Sequence, residues 1–216
     1  MLIRIYFHIA TINNWEDVVG NIWQKIRNSG LLEIAHDINI SVLGEGDPEA
    51  VSHLLNFHPK VKIRYSSSDL SEFERPILRI LRQDAIEMPF KALYIHSKGI
   101  RDHTQSNLCV KDWVDYLLYF NVECWKQNVT ALDDYQTCGV NWQDKPCPHY
   151  SGNFWWARSD YLAGLPAEIG PDYLSPEMWL GTNNPKYKCL FYSHINHYFN
   201  RFPEENYKVP CHLDRV

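Results

Sequence analysis

The sequence predicts an α/β domain, a mostly parallel sheet flanked by helices, with a loop-rich C-terminal part. Three observations predict it. Through the first hundred residues, short runs of β-forming residues alternate with longer runs at helical spacing, which calls for crossovers and parallel strands. Gly, Pro, Asn and Ser clusters punctuate each change of period. The chain of 216 residues, 45% hydrophobic and 22% charged, is long enough to bury one full core.

Residues 2–9 alternate and read as a first strand. Over residues 14–28, Trp15, Val18, Val19, Ile22, Trp23 and Ile26 fall on one helical face, and Asn28-Ser29-Gly30 stops the helix. A second strand over 37–43 closes in Gly44-Glu45-Gly46. A short helix over 48–57 and a third strand over 61–65 follow. The polar turn over 66–71 caps a helix over 74–87, whose apolar residues are Ile77, Leu78, Ile80, Leu81 and Ile86. A fourth strand over 91–96 runs into Ser97-Lys98-Gly99. The loop over 101–107 is polar and expected to be mobile. A long helix over 111–128 carries Trp113, Leu117, Phe120 and Trp125. Short strands are expected over 137–142 and 154–156, then a helix over 159–165.

Several function classes drop out. A net charge of −5 argues against nucleic acid as a partner. No run of about 18 apolar residues exists, so no membrane span is expected. Arg4 and His8 break the first apolar run, which reads as a strand and not a signal peptide. A cytoplasmic location follows, with free thiols at Cys109, Cys124, Cys138, Cys147, Cys189 and Cys211. None forms Cys-x-x-Cys, so a structural zinc is not expected. The sequons at Asn39 and Asn128 are then chance matches. G-x-G-x-x-G, G-x-x-x-x-G-K-[ST] and G-x-S-x-G are all absent.

Four segments carry chemistry. In an open α/β sheet, ligands bind beyond the carboxyl ends of the strands, here residues 10–13, 44–47, 66–69 and 96–101. The last contains His96-Ser97-Lys98-Gly99, where Lys98 is either an anion-binding cation or a solvated turn lysine. Second, residues 148–158 set Ser151, Gly152 and Asn153 before Phe154-Trp155-Trp156. Gly152 allows close backbone approach, and Ser151 and Asn153 offer donors and acceptors suited to hydroxyls. In a strand, Phe154 and Trp156 face one way, Asn153 and Trp155 the other. Third, Glu177 stands beside Trp179, as a candidate general base or a helix cap. Fourth, His194 and His197 lie three apart and could share a helix face; without a clear third ligand, a structural role is favoured over a metal pair. Eight Trp and thirteen Tyr crowd the second half. Core packing is their default role, and exposed rings are platforms for sugars.

These blocks resemble, in order, a family of candidate glycosyltransferases from bacterial surface-polysaccharide clusters and large DNA viruses. The matching segments are Glu74-Arg75-Pro76-Ile77-Leu78, Leu93-Tyr94-Ile95-His96-Ser97-Lys98-Gly99, Gly139-Val140-Asn141-Trp142, the nine residues from His149 to Ala157, and Glu177-Met178-Trp179-Leu180-Gly181. The resemblance implies a GT-A-like, Rossmann-type fold in one domain, with a nucleotide-binding half over 1–100 and a sugar and acceptor half over 101–216. It implies hexosyl or deoxyhexosyl transfer from a nucleotide diphosphate sugar, UDP-sugar first, to an oligosaccharide or glycoprotein acceptor. In a virus the location would be the host cytoplasm. Glu177 becomes the catalytic base. Glu74, His96, Lys98, Gly99, Asn141, His149, Ser151, Gly152, Asn153 and Trp155 become donor-site residues. Related GT-A enzymes end the fourth strand in Asp-x-Asp, which holds Mn²⁺; this chain reads His96-Ser97-Lys98 there. On that departure Lys98, with His96, neutralises the leaving diphosphate. A Mn²⁺ or Mg²⁺ site on His96 and Asp69 is the alternative. Two other readings compete: a non-catalytic carbohydrate-binding module, and a metal-dependent hydrolase built on His96, His149, His194 and His197.

Overall fold

The computed structural model describes residues 1–100 and 108–208. The loop expected over 101–107 and Cys211 lie outside the described residues. The chain opens β1 (Leu2–Thr11), α1 (Trp15–Asn28), α2 (Leu31–Ile34), β2 (Asp37–Gly44), α3 (Pro48–Leu54), β3 (Val61–Ser67), α4 (Arg75–Glu87) and β4 (Phe90–His96). It continues α5 (Leu108–Leu118), α6 (Trp125–Ala131), β5 (Thr137–Gly139), β6 (Trp142–Gln143), β7 (His149–Tyr150) and β8 (Trp155–Arg158). Then come α7 (Ser159–Ala163), α8 (Ser175–Trp179) and β9 (Tyr187–Cys189).

Local chemistry explains most boundaries. The buried residues of α1 are Val19, Ile22, Trp23 and Ile26, the face that the periodicity selects. Asp47 caps α3 by accepting from the Glu49 N–H (2.8 Å), with Pro48 in the first turn. That helix ends before residue 57 because Asn56 and Phe57 turn left-handed. The single helix expected over 111–128 is instead α5 and α6, joined by a π-turn over Tyr119–Glu123. Two buried amides account for the break: Asn121 Nδ2 donates to the Leu117 carbonyl (3.0 Å) and Asn128 Nδ2 to the Phe120 carbonyl (2.6 Å). These donors take carbonyls that a regular helix assigns to its backbone.

Seven strands form one sheet in the order β3-β2-β1-β4-β8-β5-β9. β3, β2, β1 and β4 are parallel, and β8 runs antiparallel to both its neighbours, β4 and β5. The fold is therefore α/β with a mostly parallel sheet. The chain moves outward from β1 through β2 to β3, then returns to β4, so the topological switch lies between β1 and β4. One sheet face carries Ile5, Phe7, Ile9, Leu93, Ile95 and Trp156 into a core shared with α1 and α5. The other carries Tyr6, Tyr94 and Trp155 against Leu78 and Leu81 of α4 and Leu162 of α7.

At the amino end of the strands, a charge network is buried under α4. Arg4 holds Asp37 with two hydrogen bonds of 2.8 Å, and Asn39 (2.8 Å) and Lys62 (3.0 Å) complete its shell. Asp84 of α4 accepts from Tyr6 and Arg64. Asn39 and Asn128 are both fully buried, so neither sequon is accessible in the folded chain. The described cysteines, Cys109, Cys124, Cys138, Cys147 and Cys189, are free thiols. Among the described residues, no helix is long and apolar enough to cross a membrane.

Candidate functional site

The ends of β1 and β4 are stitched together at the switch point. The Ser97 N–H donates to the His8 carbonyl (2.9 Å), Ser97 Oγ accepts from the Ala10 N–H (2.9 Å), and Asn13 Nδ2 donates to the Ile100 carbonyl (2.6 Å). The Lys98 N–H reaches back to the His96 carbonyl (2.8 Å) in a three-residue turn, and Gly99 follows at φ 92°. The turn brings the Lys98 ammonium to 3.8 Å from the centre of the Trp113 ring.

A cavity of about 650 Å³ opens there. His8, Glu74, His96 and Lys98 supply its polar wall, and Phe73, Tyr173, Tyr198 and Phe199 much of its aromatic rim. That volume is in the range of small-molecule sites, and its position beyond the strand ends is where such sheets bind ligands.

β8 brings the second segment to this point. Its register pairs Tyr94 with Trp155, so the turn Ser151-Gly152-Asn153 arrives beside the end of β4. Gly152 sits at φ 94°, a left-handed conformation that strains any other residue, and a Cβ there would lie 2.7 Å from Leu117 Cδ1. Its N–H donates to Glu177 Oε1 (3.0 Å), and its carbonyl accepts from His96 Nε2 (3.1 Å). Because a carbonyl only accepts, Nε2 carries the hydrogen, and in the neutral ring Nδ1 holds the lone pair. Nδ1 is 3.9 Å from Glu74 Oε1. Burial holds the His96 pKa well below the usual histidine range, and Lys98 and His8 add to this. Burial also pushes the Glu74 carboxyl up, with nearby Glu177 acting in the same direction and Lys98 against it. His8, bonded through Nδ1 to Ser41 Oγ (3.0 Å), is lowered by burial to about 3. Both histidines are thus uncharged at neutral pH, which makes Lys98 the cationic side chain of the polar wall.

The segments singled out in the sequence pack on one another through glycines. A Cβ on Gly139 would come 2.9 Å from the Tyr150 ring, and one on Gly181 would fall 1.6 Å from the Pro148 carbonyl oxygen. Gly181→Ala should therefore cost about 1–3 kcal/mol, since α8 must move off the 148–153 segment. Denaturant midpoints measure this; an unchanged midpoint would show that the contact relaxes freely.

The expected site residues divide into groups. Glu74, His96, Lys98 and Gly99 line the 650 Å³ cavity, and Gly152 and Glu177 stand behind His96. Asn141 and Ser151 line a second cavity of about 470 Å³. Asn153 turns inward, where its Oδ1 accepts from Trp155 Nε1 (2.8 Å). His149 is buried in β7 and donates from Nδ1 to the Cys147 carbonyl (2.7 Å). Trp155 corrects the expectation of a ligand-facing ring: it is 1% exposed and stacked on Tyr94 at 4.9 Å. The alternation along β8 is as expected, but helices cover both faces of the sheet there.

His8 was missed, although it neighbours His96 across parallel strands. The strand-end rule signalled residues 10–13, and the cavity wall starts two residues earlier.

A divalent cation needs several oxygen or nitrogen donors in one place. Among the described residues no three His, Cys, Asp or Glu side chains converge. Asp69 is exposed and caps a turn through the Ser71 N–H (2.9 Å), His96 Nε2 is committed to Gly152, and Lys98 adds a positive charge. The described donors do not fit a metal. His194 is exposed and His197 buried, in a segment that is not helical.

No curated protein matches the chain. One solved structure that it resembles is a candidate nucleotide-diphospho-sugar transferase from Desulfovibrio desulfuricans G20. That match is 14% identical, covers 89% of this chain and 81% of the other, and has a TM-score of 0.44, a likeness too slight to argue from. A family described as a domain of unknown function matches residues 16–178, about three quarters of the sequence, and on that match the chain belongs to the DUF8361 family.

Proposed function

We propose that this chain transfers a sugar from a nucleotide diphosphate donor to a hydroxyl of an oligosaccharide or glycoprotein acceptor, with UDP-sugar the donor to test first. The observation that carries this reading is the cavity at the β1/β4 switch point. Among the described residues, Lys98 is the one Lys or Arg in its lining, beside two neutral histidines. An ammonium there suits a diphosphate: at about 4 Å and an effective dielectric near 20, each unit of opposite charge contributes roughly 4 kcal/mol before desolvation. Lys98 then neutralises the leaving nucleotide diphosphate, the role that a cation held by an acidic pair has in the resembled enzymes. The parallel β3-β2-β1-β4 order supports the GT-A-like, Rossmann-type reading, with residues 1–100 as the nucleotide half.

In this scheme Glu177 takes the proton from the acceptor hydroxyl as its oxygen attacks the anomeric carbon. The bond from that carbon to the diphosphate breaks, and its electron pair leaves with the nucleotide. The Gly152 N–H fixes one oxygen of this carboxylate. Hydrogen bonding through Gly152 also fixes the ring of His96, next to Lys98.

A thermal-shift screen of UDP, GDP, CDP and dTDP and their sugars, with and without Mn²⁺, tests the reading. One nucleotide diphosphate should raise the melting temperature, by about 2.7 kcal/mol of stabilisation at 100 times its Kd. Stabilisation by free sugars alone would replace the transferase with a carbohydrate-binding module. Lys98→Ala should weaken nucleotide diphosphate binding roughly ten- to a hundredfold, the scale of one hydrogen bond to a charged group. Unchanged calorimetric affinity would remove Lys98 from the diphosphate site.

A further inference from the structure

The second cavity shares a wall with the first, because Trp113 and Tyr198 line both. The chemistry on the two sides differs. The first is lined by Lys98 and Glu74. Among the described residues that line the second there is no Asp, Glu, Lys or Arg. Its polar groups are the amides of Asn141, Gln143 and Asn196, the hydroxyls of Ser151, Ser193, Tyr192 and Tyr198, and the imidazoles of His194 and His197. The amides and hydroxyls are uncharged, and the exposed Gln143 and Asn196 offer donors and acceptors together, as a hydroxyl does. A charged ligand entering here would lose hydration and meet no carboxylate, ammonium or guanidinium among the described lining residues. An uncharged polyol would exchange one set of hydrogen bonds for another, with Tyr192 and Tyr198 as rings against its C–H faces.

The wall is held firmly although its segment has no regular secondary structure. Asn141 Oδ1 accepts from the Ser193 N–H (2.8 Å), Asn141 Nδ2 donates to Ser193 Oγ (3.0 Å), and Ser193 Oγ meets His197 Nε2 at 2.8 Å. His197 is stacked between Trp113 and Tyr116, with ring centres 5.3 Å away on each side. Burial and the nearby Lys98 lower its pKa to about 4, so it adds no charge at neutral pH.

The cavity is also tied to the proposed chemistry. Ser151, in its lining, immediately precedes Gly152, whose N–H holds Glu177 Oε1. Ser151 thus joins the cavity lining to the turn that holds this carboxylate.

We propose that this second cavity is the acceptor subsite and takes an uncharged sugar residue, an assignment that rests on the transferase reading for the word acceptor. NMR titration with the methyl glycosides of glucose, galactose, mannose and N-acetylglucosamine tests it, with and without UDP. Methyl glucuronide is the charged control. At least one neutral glycoside should bind and the glucuronide should not. Gln143→Trp and Asn196→Trp, at two exposed lining positions, should each weaken glycoside binding at least tenfold and leave the UDP thermal shift unchanged. The melting temperature of each variant shows that it folds. Absence of binding by every neutral glycoside, binding of the glucuronide as tight as theirs, or equal binding in wild type and both variants would each overturn the assignment. Glycoside binding without any effect of nucleotide diphosphates would overturn the donor reading while supporting the cavity as a sugar site.

Discussion

We expect Glu177→Gln to lower sugar transfer by about 10²–10⁴ while nucleotide diphosphate affinity stays within about twofold. The substitution is chosen for what it keeps. A glutamine Oε1 still accepts from the Gly152 N–H, the 3.0 Å contact that joins α8 to the turn before β8. What it removes is the proton acceptor. Fold, cavity and the ring of His96 stay as they are, so a fall in kcat at constant donor affinity reads the chemical step alone. Glu177→Ala is the contrasting variant, because it also leaves the Gly152 N–H without its carboxylate and should disturb binding as well. Single-turnover assays with a saturating donor separate the two. Turnover near wild type for Glu177→Gln would end the assignment of Glu177 as base and direct attention to Glu74, whose carboxyl burial pushes up.

The largest expected effect on stability lies at the other end of the sheet. Asp37→Ala should cost about 3–5 kcal/mol, because it leaves the Arg4 guanidinium buried without its two-pronged partner. The same group predicts an acid transition. Burial opposes ionisation of Asp37, but hydrogen bonds from Arg4, Lys62 and Asn39 outweigh it and hold the carboxyl at about 2, below its ordinary 3.8. A depressed carboxylate stabilises the fold above its unfolded pKa and loses that contribution as pH falls through the folded value. Its contribution is thus full above about pH 4 and fades towards pH 2. Urea midpoints of wild type and Asp37→Ala, compared between pH 7 and pH 2.5, should converge. A gap that stays constant over that range would mean the loss comes from packing and not from the ion pair.

Much of the first hundred residues was legible because its signals are local. The runs that became β1 to β4 are bounded by turn residues, and the apolar positions of α1 and α4 recur at helical spacing. The second half was less legible because what decides it is not local. β8 lies between β4 and β5, a neighbourhood set by pairings such as Tyr94 with Trp155 across 61 positions of chain. β9, only Tyr187–Cys189, has no periodicity of its own and is a strand because β5 offers it an edge. Within the site, His96, Lys98 and Gly152 were visible as a strand end and a glycine. Trp155 was misread because alternation assigns faces without saying which faces are covered. Asn141 and Ser151 were grouped with the donor residues because their blocks adjoin in sequence; Trp113 and Tyr198, from two distant segments, separate them in space.

Gly152 connects the proposed base to the imidazole of His96 entirely through its own N–H and carbonyl. A linkage made of main chain carries no side-chain identity, so drift at the next position does not sever it. Ser151 can change, and with it the contour of the adjoining cavity, while the carboxylate and the ring keep their spacing. In the proposed transferase, that arrangement separates the contour of the acceptor subsite from the placement of the base.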